Sequence, residues 1–288
     1  YVMKRKILIL LSLLLLLLFG IGLAAYPIVS SRYTQRHQSQ VYAQYQEIVE
    51  KADSKEIEAA KAAAEIYNQL LVSGTTTAEL DTMDYDSLLN LEGNGVMGYI
   101  EIPAIDVLLP IYHGVGEDSL EHGAGHLPGT SLPIGGRGTH TVISAHTGMA
   151  TSRMFTDLEQ LEAGDLFYIH VLDEALAYEV DQTLVVKPYQ IDALGIDVEQ
   201  DYVTPVTCTP YGVNSHRLLV RGRRTELPEN GSPGATDVIA LKTETKPSTW
   251  AIKYWAGIRD GLFIFLLIMT LLLVLTLLTS KLRKRKRP

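Results

Sequence analysis

A mainly β domain is predicted, closed as a barrel or folded as a sandwich, preceded by helix and bracketed by two apolar runs. Three observations predict it. From residue 95 onward short apolar runs alternate with Gly, Pro and Asp; the stretch before it is rich in Ala, Glu, Gln and Lys at helical spacing; and the long uncharged stretches stand at the two ends.

The first apolar run, Ile7 to Ala25, is long enough at 1.5 Å per residue to cross a hydrocarbon core of roughly 30 Å. Lys4, Arg5 and Lys6 precede it, so residues 1–6 read as a cytoplasmic tail and 7–25 as a transmembrane helix or signal anchor. The same three charges also suit the n-region of a cleaved signal peptide, although such a segment usually has a shorter core and an A-x-A exit. Here the core ends Leu23-Ala24-Ala25-Tyr26-Pro27. A second span is expected over 258–280, followed by a basic cytoplasmic tail, 281–288, holding Lys281, Arg283, Lys284, Arg285, Lys286 and Arg287. Both ends then lie inside, and residues of about 30 to 255 lie outside the cell.

The charge balance narrows the function classes. The net charge is −8, and the two tails hold nine of the basic residues, leaving −17 for the chain between them. An acidic ectodomain offers no electrostatic footprint for nucleic acid, which is excluded as a partner.

Residues 26–94 read as a helical segment with a possible lid, the helical part running from about Tyr33 to Val72. Val41, Tyr45, Ile48 and Val49, then Ile57, Ala60, Ala64, Tyr67 and Leu71, recur at helical spacing without Pro or Gly before Gly74. One long helix or two joined helices are expected, packed at the domain edge and not in its core. A loop follows at VSGTTTAELDTMDYDS. Residues 95–225 carry the runs VMGYIEI, VLLPIY, THTVISA, DLFYIHVL, LAYEVDQTLVV, DYVTPVTC and RLLVRG, which predict seven or eight strands and a core of their own. A short helix is expected at SRMFTDLEQL. GAGHLPGTSLPIGGRG reads as a loop, since it lacks the G-K-[ST] ending of a phosphate-binding loop. Residues 226–257, rich in Pro, Gly, Ser and Thr, read as a linker back to the membrane.

The single cysteine, Cys208, has no partner in its own chain. In an exported protein a lone cysteine is a packed small side chain, half of an intermolecular disulfide, or a reactive thiol. TPVTCTPYG favours the last, because Pro210 and Gly212 end the strand and leave the thiol at its tip. The nucleophile is the thiolate, so a base or cation must stand near it. His146 ends THTVISAH at another strand tip, and Arg217 begins the strand after Cys208. Arg221, four residues beyond Arg217, shares its face by strand alternation and stays open as an alternative. The remaining histidines have plainer readings. His122 and His126 flank Gly-Ala-Gly, which argues against a helical metal pair; His140 and His170 lie within strands; His113 and His216 flank turns; His37 lies near the membrane. No metal or other cofactor is expected.

The runs HTVISAHTG, TPVTCTPYGVNSHRLLVRG and MGYIEIPAIDVLLPIYHG resemble class C sortases, the pilin-polymerising transpeptidases of Gram-positive bacteria. The likeness extends from about Tyr67 to Arg223 and takes in GAGHLPGTSLPIGG and MFTDLEQLEAGD. It implies an eight-stranded β-barrel over 95–225 with a catalytic Cys, His and Arg at one end, carried here by Cys208, His146 and Arg217. It implies cleavage of an LPxTG-like sorting motif through a thioester, and transfer to the lysine amine of a pilin subunit or, alternatively, to a cell-wall precursor. Thiol hydrolysis and a non-catalytic membrane-tethered adaptor are the competing classes. Two departures stand out. The family histidine is commonly followed by Arg-Gly, where this chain has Thr147-Gly148. Many members carry an Asp-Pro-aromatic lid, where this chain has only Asp84-Tyr85; a lid over about 75–90 is the corresponding expectation.

Overall fold

The computed structural model describes residues 2–74, 83–149 and 152–228, with scattered positions between 261 and 268. Contacts divide the chain into one unit of Tyr1–Ala24 with Ser248–Pro288 and another of Ala25–Pro247. The expected second span, 258–280, and all but the start of the 226–257 linker lie outside the described residues. The first apolar run is helical, as part of α1 (Val2–Lys51), and Leu14 to Phe19 are exposed along it. Among the described residues no helix is long and apolar enough to cross a membrane.

The second unit has its helices broken where the sequence places a capping residue. Asp53 adopts an extended conformation, accepts from the Lys55 N–H, and starts α2 (Ser54–Val72). On α1, Tyr42 and Tyr45 are buried with Val96 and Tyr99, with the Tyr42 and Tyr99 rings edge to face at 4.8 Å. The Tyr45 hydroxyl donates to the Met97 carbonyl at 3.0 Å and accepts the Leu172 N–H at 2.8 Å. On α2, Ala64, Tyr67 and Asn68 form one buried stripe. Ala64 and Tyr67 belong to the main core, and Asn68 makes two hydrogen bonds with the Leu132 backbone. The expectation of edge packing is thus corrected. Small residues on α2 let it approach the barrel closely enough to close the core.

The barrel is closed in the order β1-β2-β3-β4-β7-β8-β6-β5. Its strands are β1 Val96–Ile102, β2 Val107–His113, β3 Ala124–His126, β4 Thr139–Ser144, β5 Leu166–Val171, β6 Glu174–Val186, β7 Asp201–Thr209 and β8 His216–Thr225. Neighbours are antiparallel except β2 with β3 and β4 with β7. Alternation along β4, β7 and β8 sends Ile143, Val203, Leu218 and Val220 into the main core. Val142, Val206 and Leu219 point the other way, under Leu184, Val186, Ala193 and Leu194. The second group, with Leu184 and Val186 of β6, floors an outer face covered by Ala193 and Leu194 of the β6–β7 connection.

Two expectations about local structure differ from what is found. The glycine-rich run contains β3, and it is preceded by a short helix α3 (Glu117–His122). Gly125 explains β3, because a Cβ there would stand 2.2 Å from the Gly114 carbonyl oxygen. The strand is built on close backbone approach and shows no side-chain alternation. SRMFTDLEQL holds only a single 3-10 turn, Leu158–Gln160, because Met154 takes a positive φ of 42° that no helix accommodates.

Candidate active site

The C-terminal end of β7 and the N-terminal end of β8 set the first pair. Cys208 is directly opposite Arg217 in their antiparallel register. Opposed residues of such a ladder project to the same face with α-carbons about 5 Å apart. Cys208 is a free, half-buried thiol. The Arg217 guanidinium donates through Nη1 to the carbonyls of His216 at 3.1 Å and Asn214 at 3.3 Å. No carboxylate pairs with it among the described residues. Its positive charge is held by backbone dipoles at the start of β8.

The β4–β7 register sets the third residue. Its last rung is Ser144 with Val206, and it is extended by the Ala145 N–H on the Val206 carbonyl at 3.1 Å. The Thr207 hydroxyl donates to the Ala145 carbonyl at 2.8 Å. Continuing that parallel register two places beyond the rung brings His146 level with Cys208. Val142, Ser144, Val206 and Cys208 alternate onto the same outer face, which places the histidine and the thiol at one end of it. The turn after His146 folds back, with the Phe155 N–H on the His146 carbonyl at 3.0 Å. Arg153 anchors it to Asp106 at 2.9 Å and Asp157 at 3.3 Å. From α1, Gln38 reaches the same turn at Met154 Sδ, 3.7 Å away.

The geometry separates Arg217 from its alternative. Arg221 makes two hydrogen bonds of 2.9 Å to the Asp181 carboxylate and lies 4.1 Å over the Tyr202 ring. It is four residues down β8, roughly 13 Å from the Arg217 position at strand rise. Four of the other described histidines are occupied elsewhere, while His216 stands next to Arg217 with Nδ1 2.9 Å from the Ser215 hydroxyl. His126 is fully buried, with Nε2 donating to the Ser131 carbonyl at 2.9 Å. His140 spans the Gly195 carbonyl and the Thr204 hydroxyl; burial holds its pKa down. His170 meets the buried Glu101 at 2.7 Å, and His113 spans the Gly95 and Leu88 carbonyls. His122 sits in α3 and His126 in β3, so the pair shares no helix face. Among the described residues no cluster of His, Cys, Asp and Glu could hold a metal ion.

Tyr85, the residue nearest to a lid motif, is partly buried and packed against the main core. Its hydroxyl lies 2.7 Å from His126 Nδ1 and accepts the Gly114 N–H at 3.2 Å, and its ring meets those of Tyr67 and His113. These partners belong to α2, β2 and β3. Residues 75–82, the first half of the expected lid, lie outside the described residues.

A closed eight-stranded barrel with a thiol and an arginine opposed at a strand tip, and a histidine at the parallel neighbour's tip, defines a cysteine transpeptidase of the sortase type. The sortase domain family matches residues 100–225. The chain is 42% identical to sortase C1 of Streptococcus agalactiae, covering 66% of this chain and 100% of that one at a TM-score of 0.63. It is 44% identical to a Clostridium perfringens sortase C solved with the C-terminal cell wall sorting motif, over 66% of this chain and 100% of that one at a TM-score of 0.58. Sortase A of Streptococcus agalactiae is 27% identical over 155 residues, which are 52% of this chain and 60% of that relative's length. The chain belongs to the sortase family, and its structural neighbours are class C sortases.

Proposed function

We propose that the protein is a membrane-anchored pilin-polymerising transpeptidase with Cys208 as nucleophile, His146 as acid and base, and Arg217 as the cation that binds the peptide and its oxyanion. The observation that carries the assignment is the direct opposition of Cys208 and Arg217 across β7 and β8. The Cys208 thiolate attacks the threonine carbonyl of an LPxTG-like motif. The threonine–glycine C–N bond breaks, and the departing glycine amine takes its proton from the His146 imidazolium. A lysine ε-amine then attacks the thioester carbonyl and yields a proton to His146, the C–S bond breaks, and the thiolate is restored. Arg217, unpaired with any described carboxylate, is free to donate to the developing oxyanion, a contact of about 3 kcal/mol in comparable sites.

The sorting motif bound to the similar Clostridium perfringens sortase C supports the donor, and the identity to class C structures supports a pilin lysine as acceptor. The likeness to sortase A keeps the cell-wall precursor as a second acceptor. Anchoring rests on the two apolar runs and their basic flanks, with both termini cytoplasmic and the barrel outside. Acceptor competition tests the reading. With a sorting-motif peptide and equal concentrations of a lysine-bearing pilin and a cell-wall stem peptide, the pilin adduct should dominate. Dominance of the stem-peptide product would make the protein an anchoring transpeptidase, and release of free acid in the presence of both would make it a hydrolase.

A further inference from the structure

Beyond the last hydrogen bonds between β4 and β7, the turns that carry His146 and Cys208 run side by side, and one aromatic ring joins them. Tyr211 stands three residues after Cys208 and Gly148 two after His146. A Cβ built on Gly148 would lie 3.1 Å from Cε2 of Tyr211 and 3.5 Å from Cδ2 and Cζ, so the ring rests on the bare α-carbon. Gly148 has a φ of +75° and donates its N–H to Thr156 Oγ1 at 3.1 Å. Glycine meets both demands there, a left-handed backbone and a face open to the ring. The other turn is firm, since the N–H groups of Val213 and Asn214 both donate to the Pro210 carbonyl, at 3.0 and 2.9 Å. Tyr211 itself is 36% exposed. A ring held between two anchored turns and still open to solvent contributes more to the spacing of those turns than to the core.

We propose that Tyr211 is a positioning residue for the reaction: seated on Gly148, its ring fixes the separation of the His146 and Cys208 turns where main-chain pairing has ended. It acts through Gly148. The inference rests on the reading of Cys208 and His146 as the reacting pair. Displacement of reacting groups by about 1 Å can cost on the order of 10²-fold in rate, so a lost ring contact should be visible.

The test is single-turnover thioester formation between the full-length chain and a sorting-motif peptide, followed across pH for Tyr211→Phe, Tyr211→Leu and Tyr211→Ala. Tyr211→Phe keeps the ring and should stay within about twofold of the parent. The other two should lose about tenfold in the maximal rate constant, with the half-saturating peptide concentration changed less than about twofold and the limbs of the pH profile displaced. Melting temperatures identify any variant whose loss is one of folding; Tyr211→Leu, which retains apolar bulk, keeps the test open should Tyr211→Ala not fold. An unchanged rate and pH profile in Tyr211→Leu would overturn the proposal. So would a rise in half-saturation alone, or equal damage in Tyr211→Phe. Cys208→Ala, run alongside, separates the two levels: an adduct persisting in that variant brings down the underlying assignment, whereas its loss there with Tyr211→Leu intact overturns only the role of Tyr211.

Discussion

Acidification should destabilise the barrel through His126. The ring is fully buried at the end of β3, facing Tyr85, His113, Thr130 and Ser131. Because Nε2 must donate to the Ser131 carbonyl, Nδ1 carries a lone pair and receives the Tyr85 O–H. Burial pushes the pKa down from 6.5 to about 4; His113 adds to the depression and the bond to Ser131 opposes it. In the unfolded chain the same imidazole takes up its proton near the ordinary value of about 6.5. Between those two values the unfolded state binds the extra proton. Stability present above pH 6.5 is therefore lost as pH falls toward 4, by about 3 kcal/mol at 1.36 kcal/mol per unit. Urea titrations of the parent and His126→Gln at pH 7, 6, 5 and 4 measure this. The difference between the two proteins cancels other groups, including Asp201, whose carboxyl burial pushes up and whose contribution has the opposite sign. The parent should be the more stable at pH 7, with its advantage shrinking by about 3 kcal/mol by pH 4. A constant advantage across the range would refute the reasoning.

Two further outcomes follow from the site. Arg217→Ala should lower kcat/KM for peptide cleavage by about 10²-fold or more, while Arg221→Ala, which releases only a contact with Asp181 and Tyr202, should change it less than about threefold; equal losses would contradict the assignment. Tyr85→Phe should cost about 1–3 kcal/mol in a urea titration by leaving His126 Nδ1 without its donor, and should leave the alkylation rate of Cys208 unchanged; a faster alkylation would restore the lid expectation.

Seven of the eight strands were legible. β1, β2 and β4 to β8 all fall on apolar runs of the sequence, with ends moved by a few residues. β3 was not, because Gly-Ala-Gly-His has no alternation and its strand is held by backbone contacts to β2 and β4 that only close approach permits. The buried face of α2 was hidden for a related reason. Ala64 and Tyr67 mark an apolar face but not its depth, and Asn68 looks like a surface residue until the barrel wall, with the Leu132 backbone, stands against it. The nearness of Cys208 and Arg217 could be read from a short connection between two strands, whereas Arg221 could be set aside only when Asp181 arrived from β6. Nothing local pairs Tyr211 with Gly148, since they belong to turns some sixty residues apart that meet only once β4 lies beside β7. The contact of Tyr85 with His126 was not legible either, because His126 lies in the glycine-rich run read as a loop.

Mass spectrometry of the full-length chain mixed with a sorting-motif peptide, with and without a lysine-bearing pilin, tests the central claim most directly. Without the amine, Cys208 should carry the peptide acylated through its threonine. With the amine, that adduct should disappear as a new amide to the lysine forms, and Cys208→Ala should show neither species. An adduct resolved only to free acid, or an amide product surviving in Cys208→Ala, would contradict the account.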